Sequence, residues 1–279
     1  MDNAGSIWIS LAPGIVILAA MLLALVIFVI RQPKFEQNAS RKSGSSLLPT
    51  TLIRYGYWLA DGFITPLGRL GIRPNHVTIF SVVLSALAAV LIAQGHLMSA
   101  AWVFFGAMAC DLIDGLLARS LDMQSSSGAF FDSFCDRTSE AIIFGALAYL
   151  GRDGLLFAVS FWALVASFLI SYARGRGEAL GVDCKVGLMQ RPERMLLLFF
   201  TLLAAPLLSL VTAPMGLTET TIVLAGVALI ALLSTITAGR RATLIMRELR
   251  KLDAQAASGP TSPATPPSPT PQGMADIHS

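Results

Sequence analysis

Charge is scarce in this chain: Asp, Glu, Lys and Arg make up only 13% of its 279 residues, whereas apolar residues make up 54%. Together with a mean hydropathy of +0.68, this scarcity excludes a soluble domain and predicts a polytopic membrane protein. The net charge is only +3, and the basic residues follow the membrane topology. The composition therefore gives no reason to expect a nucleic-acid partner.

Cysteine and histidine are also rare, with three of each. No two cysteines have the Cys-x-x-Cys spacing of a zinc or redox motif. We therefore interpret Cys110, Cys135 and Cys184 as small apolar packing residues, and expect neither a disulfide nor a zinc site. The histidines are scattered along the chain, so a metal ion would need carboxylate ligands.

The first uncharged run covers residues 7–30, and as a helix it would reach roughly 36 Å, enough to cross a bilayer. A cleaved signal peptide fits poorly, because no basic residue precedes this run and the run is too long. Further apolar runs predict six more spans, near residues 76–93, 98–118, 128–150, 154–172, 195–214 and 219–239.

Basic residues indicate the orientation of these spans. An amino terminus outside would put residues 31–75, 119–127, 173–194 and 240–279 on the cytoplasmic side. Those segments contain 18 of the 20 Lys and Arg residues. Because cytoplasmic loops of membrane proteins carry an excess of basic residues, this orientation is favoured.

Four segments are predicted along the chain. Residues 1–30 form an extra N-terminal transmembrane helix, and residues 31–48, which are polar and basic, form a cytoplasmic linker. Residues 49–251 form the main domain, which begins with an interfacial helix that is apolar on one face. Residues 252–279 are Pro-rich and are expected to be disordered.

Four aspartates stand at helical spacing within the apolar sequence. The register is Asp111-x-x-Asp114-Gly115-x-x-Ala118-Arg119, followed after eight residues by Gly128-x-x-x-Asp132-x-x-x-Asp136. A carboxylate in the middle of a bilayer costs about 2.5 to 3.5 kcal/mol on insertion scales, so four of them are functional candidates.

Each aspartate pair lies on one face of its helix, because residues three or four apart are neighbours there. The two helices are joined by a cytoplasmic hairpin near residues 119–127, so both pairs point to the same membrane surface. Facing carboxylates repel unless cations are present. Oxygen ligands favour Mg²⁺ or Mn²⁺.

The residues around the aspartates favour a diphosphate ligand. Gly115 and Ala118 leave space beside the carboxylates, Gly128 allows close approach of the next helix, and Arg119 suits a phosphate. A lone Asp-x-x-Asp pair would equally fit half of a proton or cation pathway. The complete register, with its Gly, Ala and Arg residues, favours a pocket for metal and diphosphate.

This register resembles the signature of the CDP-alcohol phosphatidyltransferases and matches it at every defining position. The resemblance covers roughly residues 50–250. It implies an all-α, homodimeric membrane protein with six core transmembrane helices preceded by an interfacial helix. It also implies phospholipid synthesis, in which a phosphatidyl group moves from CDP-diacylglycerol to an alcohol and CMP is released.

The resemblance also implies roles for individual residues. Asp111, Asp114 and Asp132 would hold two metal ions, Mg²⁺ or Mn²⁺, that bridge the diphosphate. Asp136 would accept the proton of the attacking hydroxyl and also reach the second metal. The positions implied to bind the CDP-lipid are Pro74, Asn75, Thr78, Gly115, Ala118, Arg119, Ser125 and Gly128.

A second cluster of basic residues bears on the acceptor alcohol; it comprises Arg174, Arg176, Lys185, Arg191 and Arg194. Topology accounts for several of them, but it does not require the Arg-x-x-Arg form. Guanidinium groups bind phosphomonoesters well. The sequence therefore favours a phosphorylated acceptor.

The stretch from Ser171 to Glu178 and the Arg-Pro-Glu-Arg run at 191–194 resemble the phosphatidylinositol-phosphate synthase branch of the family. That resemblance implies that Arg174, Arg191 and Arg194 bind the acceptor phosphate, together with Arg240 or Arg241 on the last span. Inositol phosphate is then the favoured acceptor, and the active site of this integral protein would face the cytoplasm from a bacterial inner membrane.

Other functions fit parts of the pattern. Glycerol 3-phosphate would use the basic residues in the same way and give phosphatidylglycerophosphate, and an uncharged or zwitterionic alcohol such as serine is a further acceptor. Outside this class, the chain would be a membrane metal or proton transporter, or a non-catalytic scaffold derived from a transferase. A scaffold would be expected to lose at least one of the four aspartates, and all four are present.

Overall fold

The computed structural model describes residues 66–184 and 186–257, together with 23–30 and a few isolated positions before residue 66. Residues 23–30 are helical. Most of the remainder of the predicted extra span, the linker at 31–48, most of the interfacial helix and the chain beyond residue 257 lie outside the described residues.

Six long α-helices make up the described part of the main domain. Five of them, all except α3, are long and apolar enough to cross a membrane. No strand occurs among the described residues, which confirms the prediction of an all-α polytopic membrane protein. The helices are α1 Pro74–Ala93, α2 Leu97–Ser120, α3 Ser126–Leu150, α4 Leu155–Ala179, α5 Arg191–Thr212 and α6 Glu219–Ala257.

Three helices extend beyond their apolar sequence. α4 continues to Ala179 rather than 172, and α5 begins at Arg191 rather than 195. α6 continues to Ala257 rather than 239, and so enters the segment predicted as a disordered tail. The reason is that these extensions are rich in Ala, Arg, Leu and Glu, which favour helix whether or not lipid surrounds them.

The six helices form a ring in which each packs against two others. α1 contacts α2 and α3, α2 also contacts α5, and α3 also contacts α4. α4 and α5 both contact α6, which closes the ring. Consecutive helices α2 and α3 are thus separated by α1, and the aspartates on α2 face those on α3 across a gap.

The end of the ring where α2 ends and α3 begins is called the aspartate end. An apolar core fills mainly the opposite end of the ring. In a bilayer, close packing holds helices together more than transfer from water does. Gly226 shows how close this packing is, since a Cβ atom there would lie 2.4 Å from Thr201 Oγ1. All six helices contribute to the core, for example through Ile92, Leu97, Phe144, Leu156, Leu202 and Val223.

The loop between α4 and α5 is fixed to α6 at the aspartate end. Arg241, which is only 3% exposed, donates from Nε to the Val186 carbonyl at 2.7 Å and from Nη1 to the Ile170 carbonyl at 3.2 Å. The Met189 amide donates to Thr237 Oγ1 at 3.3 Å. These contacts determine where α5 begins, and therefore where Arg191 enters the site.

Candidate active site

Three of the four aspartates converge at the aspartate end. Asp111 comes from the second half of α2, and Asp132 and Asp136 come from the first three turns of α3. One carboxylate oxygen from each lies within 4.8 Å of the other two. Three half-buried carboxylates at this spacing provide the oxygen ligands that Mg²⁺ and Mn²⁺ prefer. The residues present therefore fit a divalent metal.

Asp114 is held differently from the other three. It is only 4% exposed, and Thr78 Oγ1 on α1 donates a hydrogen bond to its Oδ2 at 2.6 Å. It is not part of the group of three converging carboxylates. The bond from Thr78 fixes the rotamer of Asp114 and gives its buried carboxylate a partner. The role of Asp114 as a metal ligand remains a prediction.

We expect Thr78→Val to weaken Mn²⁺ binding by roughly tenfold or more, because loss of a group that orients a metal ligand typically costs 10- to 100-fold in affinity. Valine keeps the shape of threonine but cannot donate to Asp114. Titration of the purified chain with Mn²⁺, followed by electron paramagnetic resonance, measures the affinity directly.

Thr78→Ser should restore the affinity, because serine keeps the hydroxyl. Thr243→Val is the matched control, since Thr243 makes an ordinary bond to the Gly239 carbonyl at 2.8 Å on the exposed face of α6. Unchanged Mn²⁺ affinity in Thr78→Val would show that Asp114 needs no support from α1, or that it binds no metal.

Arg191 bridges two of the converging carboxylates. Its Nη1 lies 2.5 Å from Asp111 Oδ2 and its Nη2 lies 2.8 Å from Asp136 Oδ1. Arg137 adds a longer contact, 3.6 Å from its Nη1 to Asp136 Oδ2. These guanidinium groups offset the repulsion between the carboxylates. Arg191 was expected to bind the acceptor, and it in fact touches the carboxylates directly.

A cavity of about 450 Å³ opens between α1, α2 and the start of α3. We call it the first cavity. Asp114 and Asp132 line it, and so do all eight positions implied to bind the CDP-lipid. The fold brings these positions together from the start of α1, the end of α2, the α2–α3 hairpin and the start of α3. They are Pro74, Asn75, Thr78, Gly115, Ala118, Arg119, Ser125 and Gly128.

Two glycines shape this cavity. Ser125 is the N-cap of α3, and its Oγ accepts a hydrogen bond from the Gly128 amide at 3.0 Å. A Cβ atom at Gly128 would lie only 3.0 Å from that hydroxyl, so glycine lets the cap close tightly. At Gly115, a Cβ atom would lie 3.6 Å from Arg119 Nη1. The Arg119 side chain therefore folds back over Gly115 toward the cavity.

A second cavity, of about 890 Å³, lies between α3, α4 and the start of α5. Asp132 and Asp136 line one wall, and Arg137, Arg174 and Arg191 supply positive charge. Asp132 lines both cavities. The carboxylate group therefore stands at the boundary between a cavity on the α2 side and a basic cavity on the α4 side.

Arg194 does not line the second cavity. Its side chain is 2% exposed, and its Nε lies 2.8 Å from Oε1 of Glu140 on α3, which is equally buried. Its Nη1 donates to the Met189 carbonyl at 3.1 Å. These contacts favour a structural role for Arg194 over the predicted contact with the acceptor phosphate. They also give the buried carboxylate of Glu140 an ion-pair partner.

The sequence model of the CDP-alcohol phosphatidyltransferases matches residues 72–236, which is more than half of the chain. The chain belongs to the CDP-alcohol phosphatidyltransferase family. The first cavity, the converging carboxylates and Arg191 all lie within the matched residues. This phosphatidyltransferase is therefore a membrane-embedded enzyme, as the aspartate register predicted.

Its relatives include named synthases. The phosphatidylinositol phosphate synthase of Corynebacterium glutamicum is 38% identical over 134 residues, which are 46% of this chain and 61% of that protein. The match thus spans about three fifths of that relative. The archaetidylinositol phosphate synthase of Methanothermobacter thermautotrophicus is 31% identical over 147 residues, 52% of this chain and 74% of that protein.

Solved structures show the same fold. The Mycobacterium tuberculosis phosphatidylinositol phosphate synthase with CDP-DAG bound is 29% identical, with a TM-score of 0.57 over 69% of this phosphatidyltransferase and 94% of that chain. The same synthase in complex with manganese and citrate gives 27% identity and a TM-score of 0.58, over 67% and 88% of the two chains.

Several residues of the phosphatidyltransferase site were missed from the sequence. Arg73 and His76 line the first cavity beside the expected Pro74 and Asn75. Arg137, directly after Asp136, lines the second cavity. In the sequence, the signal that could have identified these residues was their position directly beside motif residues. Arg241, a further candidate for contact with the acceptor phosphate, instead holds the α4–α5 loop.

Proposed function

We propose that this enzyme transfers a phosphatidyl group from CDP-diacylglycerol to a phosphorylated polyol, with inositol phosphate as the favoured acceptor, and releases CMP. The main observation that supports the proposal is that Asp132 lies in the walls of both cavities. A donor in the first cavity and an acceptor in the second would meet at the carboxylates. The relatives that are phosphatidylinositol phosphate and archaetidylinositol phosphate synthases support this choice of acceptor.

The first cavity is suited to the donor. Arg119 and Arg73 line it and can pair with phosphate oxygens, while Asn75 and Ser125 offer neutral hydrogen-bonding groups. The acyl chains of the lipid would remain in the bilayer. The chain thus orients the reacting phosphorus toward Asp132 before the acceptor arrives, and phosphoryl transfer depends mostly on such positioning.

Asp111, Asp114, Asp132 and Asp136 would hold two divalent ions, Mg²⁺ or Mn²⁺. Two such ions neutralise the diphosphate and stabilise the entering and leaving oxygens. Of the two cavities, Asp136 lines the second and not the first, which is the correct side for it to accept the proton of the acceptor hydroxyl. Arg191, now paired with Asp111 and Asp136, would then turn toward the acceptor phosphate.

The second cavity favours an acceptor that carries a phosphate. Arg174 and Arg191 both line it, and Arg174 is half exposed and paired with Glu178 at 2.9 Å. A phosphomonoester can replace Glu178 as its partner, because Arg binds phosphate through two parallel hydrogen bonds. Glycerol 3-phosphate carries the same group, so it is the alternative acceptor.

We extend the proposal to assembly and location. The family resemblance supports a homodimer. Bacterial relatives such as that of Corynebacterium glutamicum support a bacterial inner membrane, and the distribution of basic residues supports an aspartate end that faces the cytoplasm. In that orientation CMP and the acceptor would exchange with water, while the lipid product would leave sideways into the bilayer.

The test is an assay of the purified full chain with labelled CDP-diacylglycerol, Mg²⁺ or Mn²⁺, and a panel of acceptors. We expect CMP release that depends on inositol phosphate, with glycerol 3-phosphate weaker and serine inactive. Arg174→Gln should raise the acceptor KM with little change in the KM of the CDP-lipid. Arg152→Gln is the matched control, because Arg152 lies at the opposite end of the bundle.

Two outcomes would contradict the proposal. Release of CMP without any phosphorylated acceptor would show that the second cavity does not bind one. Full activity with serine would reassign the acceptor class. Equal effects of Arg174→Gln on both KM values would remove Arg174 from the acceptor site while leaving the donor chemistry intact.

A further inference from the structure

A groove of about 510 Å³ runs along the outer surface of the bundle between α4 and α6, apart from both cavities of the active site. Its floor consists of small residues and its walls of large apolar ones. Trp162 and Leu169 on α4 and Met246 on α6 form the walls, each about half exposed. The small residues are Ala166, Ala173, Gly177, Ala238, Gly239 and Ala242.

Among the residues that the structure describes, Arg176 is the one charged residue that lines this groove. It lies two positions after Arg174 on α4, and residues two apart on a helix point to different sides. Arg174 accordingly lines the second cavity and pairs with Glu178. The Arg176 side chain is exposed and makes no hydrogen bond or ion pair to any residue within the described ranges.

The length of the groove matches one leaflet of a bilayer. Trp162 and Arg176 are fourteen positions apart on α4, which corresponds to about 21 Å along the helix. Half of a bilayer's hydrocarbon core is about 15 Å, and the remaining length reaches into the headgroup region. The groove therefore runs from the middle of the membrane to the headgroups at the aspartate end, where Arg176 lies.

We propose that this groove binds one anionic phospholipid of that leaflet, with an acyl chain between α4 and α6 and its phosphate on Arg176. Charge complementarity selects this occupant, because an unpaired guanidinium at headgroup depth attracts anionic lipid. An apolar helix of a second copy would fill the groove but leave Arg176 without a partner. The proposal does not depend on the acceptor or on catalysis, since the groove shares no residue with either cavity.

Trp162 provides the measurement, because it lines the groove. The full chain is reconstituted in phosphatidylcholine vesicles that contain a minor fraction of brominated phosphatidylglycerol or brominated phosphatidylcholine. Bromine quenches tryptophan fluorescence on contact, and the difference between the native chain and Trp162→Phe isolates the Trp162 signal. We expect several-fold stronger quenching by the anionic lipid.

Two variants separate the headgroup from the acyl chain. Arg176→Gln should abolish the preference and leave equal quenching by both lipids, whereas Arg250→Gln, an exposed arginine that does not line the groove, should preserve it. Gly239→Phe should remove most of the quenching, because a side chain there enters the groove and a Cβ atom meets nothing within 4 Å. Gly145→Phe on α3 is its control, with equally open surroundings.

Three results would overturn the proposal. Equal quenching of the native chain by both lipids would mean ordinary lipid contact without selection. A preference that persists in Arg176→Gln would place the headgroup elsewhere. Absence of quenching by either lipid, together with crosslinking of two copies through α4 or α6, would mean that protein covers the groove.

Discussion

Asp136→Asn should lower kcat by about 10²- to 10⁴-fold, the usual contribution of a positioned base. Binding of the CDP-lipid should be nearly unchanged, because Asp136 lines the second cavity and not the first. Asparagine keeps the shape of the side chain and can still accept the bond from Arg191 Nη2. It cannot take the proton of the acceptor hydroxyl. Single-turnover CMP release and equilibrium binding of the CDP-lipid measure the two effects separately.

The control for this variant is Asp153→Asn. Asp153 lies at the opposite end of the bundle, where its side chain is 90% exposed and pairs with Arg152. This substitution should leave both quantities unchanged. Near-normal kcat in Asp136→Asn would remove Asp136 from the role of base. A large loss of Mn²⁺ affinity in the same variant would instead assign its main effect to metal binding.

Arg194→Met should destabilise the fold by about 3 to 5 kcal/mol, because removal of one partner from a buried ion pair leaves the other charge without compensation. Both Arg194 and Glu140 have side chains that are 2% exposed. The pair joins α3 to α5 next to the metal ligands, so loosening it would also disturb the carboxylates. Thermal unfolding of the purified chain in detergent measures the change in stability.

The double variant Arg194→Met with Glu140→Gln should recover much of the lost stability, since no buried charge is then left unpaired. Lys251→Met is the matched control, because Lys251 and Glu248 form an exposed pair at the end of α6, and such pairs contribute at most about 1 kcal/mol. If Arg194→Met left the stability unchanged and raised the acceptor KM, Arg194 would be assigned to acceptor binding after all.

The sequence predicted the parts of the site that depend on local spacing. The aspartate register placed two carboxylates on each of two helices, and three of the four converge as expected. The eight positions implied for the CDP-lipid line one cavity because they lie at three neighbouring helix ends and in one hairpin. Helical periodicity alone would also have separated Arg174 from Arg176, since residues two apart do not share a face.

Long-range contacts account for what the sequence could not predict. Arg191 and Arg194 look equivalent in the Arg-Pro-Glu-Arg run, yet Arg191 contacts Asp111, 80 positions away, and Arg194 contacts Glu140, 54 positions away. The order of helices around the ring decides which arginine meets which acid. Similarly, the position of α1 between α2 and α3 follows from packing, and this position gives Thr78 its contact with Asp114.

The apolar core at the far end of the ring has a consequence for transport. In the described part of the chain, side chains such as Phe144, Leu147 and Leu202 are 1% exposed or less and fill the space between the helices directly behind the carboxylates. The polar space around the aspartates is therefore a cavity that opens at one membrane surface. It is not a channel between the two surfaces. Ions that reach the aspartates would leave through the same opening by which they entered. This arrangement suits a catalytic centre better than a pump or a channel.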